Sequence, residues 1–531
     1  MSSRTKAMLK PKSTSLVCQM TIIYLLLFTA VLGLYPNNSE AAVTGEMDYI
    51  FYGANIITID ELNPIAEAIA IQAESIVAVG TDEDILDAYQ TENPSNTRDL
   101  NGLTIMPGFV DGHNHLFFSA LWTGLTDLTA AQDIALSFGY TTIVDKAFTD
   151  WERDIEPMLA ADQAGELRLR VNMFPCYNDA GLDEQGETII LELWYNERPP
   201  ILDHNAMLRV PGIKIFSDGC SVPGRGAPAM SVPYTPEAME FLEGITDNEY
   251  GDLYLEQQEL NTAVKTLQDA GFRVAFHAGG DRAIETVMNA IEFALDGESN
   301  SIHRHQIEHN GFLRPDLITK AKQLGTLHSV RGYFPTYWQE SECEYWFNST
   351  VCEWYVNRYS LPEEGIHAYW ESDFSWEIYG DDSTSRNINP FLHLWGYVTR
   401  SAIDENGTIH RPRPWVAEHE ISVEQALRMM TIDAAYIVSQ EDYIGTLESG
   451  KFADLIVLSD SPLDVDADEL KDLEVYLTMI GGKIEFVKDG SGLEELRPPP
   501  PSSLLLPTLV VIAVIPIAAL VVFILVRKNR P

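Results

Sequence analysis

The chain has 531 residues, 45% of them hydrophobic, enough for more than one domain and for a large buried core. Its 79 acidic against 35 basic side chains leave a formal charge of −44, which argues against a nucleic-acid partner, because phosphates require a basic face. The same charge fits a soluble, self-repelling surface in a salty or extracellular medium.

At the start, Arg4, Lys6, Lys10 and Lys12 precede the apolar run Met20–Tyr35 and the small residues Ser39 and Ala41. This is the pattern of a secretory signal over residues 1–42, with an uncleaved anchor as the alternative. Residues 43–107 contain "YIFYGANIITID", "AEAIAIQAESIVAVG" and "TRDLNGLTIMPG", alternating β-formers broken by Gly, Asn and Asp. Residues 441–490 repeat that texture in "IGTLESGKFADLIVLSD" and "VYLTMIGGKIEFVKDG". Two β-rich blocks around a long centre predict one sheet domain built from both flanks.

The centre, residues 108–440, alternates strand-like and helix-like text. After the apolar run before His113 come "TTIVD", "RLRVNMF", "GIKIFSD", "FRVAFHAGGD", "HQIEHN", "GTLHSV" and "HAYWESD". Stretches such as "LNTAVKTLQDAG" and "DRAIETVMNAIEFALDG" carry apolar residues at helical spacing and end on Gly. Eight strands in about 270 residues is the arithmetic of a (β/α)8 TIM barrel. Residues 491–503 read as a stiff Pro-rich linker. The uncharged run 504–526 reads as a transmembrane helix, with the basic tail 527–531 cytoplasmic. The expected location is therefore the cell membrane, single-pass, with the body of the chain outside the cell.

Residues two apart in a strand share a face, so His113 and His115 project together at the C-terminal end of the first barrel strand. Lys214, His277, His309 and Asp373 lie in or at the ends of four later strands. Six candidate ligands from five strands supply enough N and O donors for one or two divalent ions. Each alone reads blandly, as a turn residue, a cap or a snorkelling lysine. The ordered combination is what points to a metal. His305 reads as a core residue, and His328, His393 and His419 have no place in the pattern. Asp281, after "HAGG", reads as the N-cap of the following helix in preference to a partner for His277. Cys343 and Cys352 are close enough in sequence to pair, whereas Cys176 and Cys220 read as thiols. The loop carrying Trp346 and Trp354 is either a lid over the mouth or a set of aromatics packed on the wall.

The text "MPGFVDGHNHL", "GIKIFSDG", "FHAGGDRAIE", "RHQIEHNGFL", "ESDFSW" with "NPFLHLWGYVTRSA", and "IGTLESGKFADLIVL" resembles the amidohydrolase superfamily. The branch is amidohydrolase family 3, that of YtcJ-like proteins and N-substituted formamide deformylases, and the likeness spans residues 48 to 488. The resemblance implies an α/β fold, a distorted (β/α)8 TIM barrel with a composite β-sandwich. It implies that His113 and His115 bind a buried metal, that His277 and His309 bind a more exposed one, and that Lys214, carboxylated by CO2, bridges them. Asp373 would bind metal and handle the proton, and zinc would be the ion. The activity implied is hydrolysis of a C–N bond in an amide, formamide or cyclic amide, with a small-molecule substrate and room for a homo-oligomer. Two departures stand out. The insertion that family members carry after the HxH strand is short here, and Arg331 in "VRGYFPTYW" stands where a Gln-Pro pair is usual. Two other readings remain: a mononuclear amidohydrolase or deaminase with unmodified Lys214, and a non-catalytic surface solute-binding protein on the same scaffold.

Overall fold

The short run "LIVL" at Leu455–Leu458 joins the two ends of the chain. It pairs antiparallel with Thr104–Pro107, placing a late strand at the centre of an early sheet. The computed structural model describes residues 46–498, apart from 124–126, 184–187, 192–194, 196, 222–223, 334–342, 348, 357–358, 360, 376–386 and 405. Within it, a six-stranded sheet runs in the order Lys483–Val487, Val475–Ile480, Leu455–Leu458, Thr104–Pro107, Asn55–Ile57, Ile65–Ala66. A four-stranded sheet of Ser75–Gly80, Ala68–Gln72, Tyr49–Tyr52 and Thr97–Asp99 faces it. Leu455 and Val457 pack with Phe51, Ile69, Ile71 and Met479 between the sheets. Ile456 and Leu458, on the opposite face, belong to the large barrel core. A strand buried on both faces loses its polar alternation, which is why this one is continuously apolar.

The central strands are β1 (Phe109–Asn114), β2 (Tyr140–Phe148), β3 (Arg170–Pro175), β4 (Gly212–Phe216), β5 (Arg273–Ala278), β6 (Gln306–His309), β7 (Leu327–Val330) and β8 (Ala368–Trp370). They coincide with the eight strand-like runs of the sequence. β1 to β3 pair in parallel and are joined by the short strand Leu208–Arg209, and β4 to β8 form a second parallel sheet. The sheets meet at both edges. At one, Cys176 bridges Lys214 and the Tyr177 N–H donates to the Lys214 carbonyl at 2.8 Å. At the other, the Asp373 N–H donates to the His113 carbonyl at 3.0 Å and the His115 N–H to that of Phe374 at 2.9 Å. The arrangement is TIM-barrel-like.

The predicted helices form as Gln257–Asp269 and Asp281–Leu295. The first opens on a capping box of Glu256 and Glu259 and is followed by Gly271 at φ +89°. The second ends on Asp296, itself left-handed at φ 46°, before Gly297.

The lower barrel is closed by the helix Ile432–Ile437. Its Ala434, Ala435 and Ile437 pack against Val110, Val144, Phe174, Ala275, Leu327 and Tyr369 from six of the strands. Carbonyls at a helix C-terminus need outside donors. Here Arg209 donates to Val438 O at 2.8 Å, Arg273 to Ile437 O at 2.5 Å, and Arg304 to Tyr436 O. Two residues further along the same strands, the interior changes character: Lys146 follows Val144, His277 follows Ala275, Ser329 follows Leu327 and Glu371 follows Tyr369.

The transmembrane helix expected at 504–526 is a correction. Among the described residues no helix is long and apolar enough to cross a membrane. The run 504–526 and the signal at 1–42 lie outside the described residues. The membrane as a partner, the extracellular body and the single-pass location are withdrawn with it.

Replacing Arg209 by Leu should destabilise the fold by about 1–3 kcal/mol, because Asn172 Oδ1 and Val438 O lose a buried donor. Removing Arg411, half-exposed in its pair with Asp468, should cost under about 1 kcal/mol. Urea unfolding of both variants checks this, and equal losses would contradict the plug.

Candidate metal centre

β1 ends in Asp111-Gly112-His113-Asn114-His115. Asp111 is buried and accepts the backbone N–H groups of His113 (3.2 Å) and Ser372 (3.1 Å) and the Asn114 side-chain amide (2.7 Å). Burial pushes its carboxyl up to about 6 against those bonds. Gly112 is required by close approach, since a Cβ there would lie 2.3 Å from the Tyr369 ring. So anchored, His113 and His115 bring their Nε2 atoms to 3.0 Å of each other. Asp373 Oδ1 lies 3.2 Å from the first and 3.1 Å from the second.

The remaining imidazoles adjoin. The ring of His309 is centred 4.8 Å from that of His113 and 4.6 Å from that of His277. His309, the last residue of β6, and Asp373, three residues beyond β8, both have positive φ, 68° and 50°, a conformation that His and Asp tolerate better than most side chains. Two of the imidazoles, His115 and His309, have a hydrogen-bond acceptor at Nδ1, and the Nδ1 of His113 lies beside a carboxylate oxygen without a hydrogen bond. His115 faces Lys146 O at 3.0 Å, His309 faces Glu371 Oε1 at 3.0 Å, and His113 faces Glu308 Oε1 at 3.1 Å. An acceptor at Nδ1 fixes the proton there and leaves the Nε2 lone pair for a cation. His277 Nε2 is buried without a hydrogen-bond partner, 3.6 Å from Asp218 Oδ1.

Beneath them lies a group of charges without contact with solvent. Glu308 pairs with Lys214 through Oε2 and with Lys146 through Oε1, and all three side chains are fully buried. Burial alone would push the Glu308 carboxyl up, but His113, Lys146 and Lys214 hold it well below the ordinary range. Burial lowers the Lys146 ammonium against the pull of Glu308. Burial also lowers His115, His277 and His309, so these stay neutral, as ligands must. His113 goes the other way: burial pulls it down, but Glu308 and Asp373 together raise it. Asp373 is held well below the carboxylate range, its burial overcome by Arg331, which donates to Oδ2, and by His113 and His115.

These residues fit a divalent ion. Two triads, His113–His115–Asp373 and His113–Glu308–His309, have ligand atoms within 4.8 Å of one another. Neutral imidazole and carboxylate donors suit zinc and its neighbours, and the orphaned His277 Nε2 is available to the same space. The structure thus gathers His113, His115, His277, His309 and Asp373. It places the Lys214 ammonium one step deeper, on Glu308. Glu308, Lys146, Asp218 and Glu371 were missed in the sequence, although "DKAF", "QIEH" and "WES" show their strand parity.

Other expectations resolve. Asp281 is not the N-cap, which is Gly280. Fully buried, it accepts the Ser231 N–H and pairs with Arg314. Asp218 takes up the preceding turn by accepting from Gly279 and Gly280, with burial pushing it up to about 7. His305, His328 and His393 are core residues with both ring nitrogens engaged. Cys176 and Cys220 are free, and Cys343 is bonded to Cys352 with Cα atoms 5.5 Å apart. Of the aromatic segment, Trp346, Phe347 and Trp354 pack on Met230, Tyr234 and Phe241 beyond β4, and residues 334–342 lie outside the described residues. A cleft of about 600 Å³ between Tyr177, Tyr195, Tyr254 and Gln258 shares none of its lining with the metal cluster.

The amidohydrolase family profile matches residues 123–486, a span that includes Lys214, His277, His309 and Asp373 and begins beyond His113 and His115. The putative amidohydrolase YtcJ of Bacillus subtilis is 27% identical over 52% of this chain and 47% of its own length. The N-substituted formamide deformylase of Arthrobacter pascens is 23% identical over 54% and 47%. LONG AFTER FAR-RED 3 of Arabidopsis thaliana is 23% identical over 67% and 56%. The chain therefore spans about half the length of these relatives. Among solved structures, an uncharacterized metal-dependent hydrolase from Pyrococcus furiosus superposes with a TM-score of 0.58 at 16% identity, over 78% of this chain and 100% of that one. With the profile covering most of the chain, the protein belongs to the amidohydrolase family, in the branch of YtcJ-like proteins and N-substituted formamide deformylases.

Proposed function

We propose that the protein is a metal-dependent hydrolase of carbon–nitrogen bonds other than peptide bonds, working at the C-terminal rim of a closed (β/α)8 barrel. The observation that carries this is the convergence of His113 Nε2, His115 Nε2 and Asp373 Oδ1 within 3.0 to 3.2 Å of one another. A bound divalent ion, zinc by donor type, would supply a water acidic enough to attack near neutral pH and would polarise the substrate carbonyl. His113, His115, His277 and His309 would hold it, with Asp373 as the anionic ligand. Asp373 also stands where it takes the proton of the attacking water and hands it to the leaving nitrogen. The name of the N-substituted formamide deformylase supports a formamide or another amide as substrate.

For a two-ion site, Lys214 would carry a carbamate formed with CO2, which would supply anionic oxygen donors to the ions. Glu308 then keeps Lys146 as its partner. The pairing of the Lys214 ammonium with Glu308 favours a second reading, a mononuclear amidohydrolase or deaminase with unmodified lysine.

Purified protein should contain one to two zinc equivalents per chain and hydrolyse members of a panel of N-formyl amines, N-acyl amino acids and cyclic amides. Chelation should abolish turnover and zinc restore it, and His277→Ala should lower kcat/KM by at least about 100-fold. Metal far below one ion per chain, or an active His277→Ala enzyme, contradicts the proposal. Reconstitution with and without bicarbonate separates the two readings. Bicarbonate-dependent recovery with two ions supports the carbamate, and recovery indifferent to bicarbonate with one ion selects the mononuclear enzyme.

A further inference from the structure

Burying Lys146, Lys214 and Glu308 together is costly, and replacing such groups by apolar ones is often neutral or stabilising. Their position beneath the imidazoles gives them a use. Glu308 Oε1 lies 3.1 Å from His113 Nδ1, while His113 Nε2 faces His115 and Asp373. One imidazole does not present both nitrogens to the same ion. With Nε2 turned to the metal, Nδ1 is the proton-bearing side; it is buried without a hydrogen bond, and the carboxylate oxygen beside it, 3.1 Å away, is Glu308 Oε1. Both carboxylate oxygens also carry an ammonium, Lys146 on Oε1 and Lys214 on Oε2.

We propose that Glu308 and Lys146 form a buried positioning pair for the metal ligand His113, with Glu308 orienting the imidazole through Nδ1 and Lys146 keeping the carboxylate neutralised. Lys146 matters because Lys214 changes charge in the two-ion reading. Carboxylation releases two protons, one from the ammonium and one from the nitrogen as it bonds to CO2, and turns a cation into an anion. Lys214 then leaves Glu308, and without Lys146 a fully buried carboxylate would be stranded beside a carbamate. The pair thus serves either state of Lys214. Lys146 also reaches Gln306 Oε1 at 3.3 Å, which keeps its ammonium beside β6.

This rests on the metal-centre reading above, and the test separates the two. The full chain, freed of metal, is titrated with Co²⁺ against a competing chelator while the visible spectrum of the bound ion is recorded. E308A should bind Co²⁺ about 10- to 100-fold more weakly with altered absorption bands. E308Q, which keeps the acceptor oxygen without the charge, should fall between E308A and wild type, and K146M should weaken binding without removing a ligand. If E308A does not fold, E308Q and K146M carry the test, with the melting temperatures of the metal-free forms as the check on folding. Folded variants that match wild type in both affinity and spectrum overturn the positioning pair and leave the metal centre standing. A Glu308 oxygen coordinated directly to the ion also overturns it. Wild-type protein that binds no Co²⁺ overturns both proposals.

Discussion

A carboxylate with no access to water has to be neutralised where it stands, and Glu308 is the group on which the upper barrel depends. Its two oxygens meet ammonium groups from β2 and β4 and the His113 ring from β1, while its own backbone belongs to β6. Four of the eight strands are thereby tied at the level where the fold turns from packing to chemistry. Below it the interior is Val, Ala, Leu and Phe against the plug helix, and above it are imidazoles. An apolar layer under a charged layer gives the imidazoles a low-dielectric floor, so burial holds three of them neutral and their lone pairs uncommitted to protons.

Two ways of aiming a side chain meet at the rim. Lys146, Lys214 and Glu308 reach the interior by ordinary strand alternation. His309 and Asp373 do not: each sits at or just beyond the end of its strand in a left-handed turn, which swings the side chain over the barrel mouth. Such a backbone is strained and persists only when its surroundings fix it. Asn310, next to His309 and also left-handed, is tied to Ile307 O, Ser329 O and His328. The Asp373 N–H is tied to His113 O. The buried hydrogen bonds beneath the site thus hold the geometry that the ligands need.

Period-two alternation made the eight strands and most of the ligand set legible in the sequence, because each strand delivers its signal locally. The same rule, applied to every polar residue, reaches Lys146 from Val144 and Glu308 from Gln306. They were passed over because a lysine or glutamate in an apolar strand is usually read as surface. His309 was found through its strand-end position, although its turn is invisible in the text. Asp281 misled because Asp before a helical run is a common cap; full burial sends it instead to Ser231 and Arg314, contacts between segments far apart in sequence. The meeting of Leu455–Leu458 with Thr104–Pro107 was legible only as two similar textures, since pairing register is a long-range property.

Asp373 divides its two oxygens between opposite demands. Oδ1 faces the paired imidazoles, and Oδ2 accepts from Arg331. A guanidinium on one oxygen keeps the carboxylate ionised and oriented, which favours a ligand, and the same field weakens it as a base, because a depressed pKa lowers the driving force for taking a proton. Arg331 also lies 3.7 Å from Glu371, the acceptor for His309 Nδ1, so one cation touches the partners of two separate ligands. The positive charge of Arg331 thus stands against the carboxylate of Asp373, and for the proposed chemistry the balance between holding a cation and moving a proton is set toward holding.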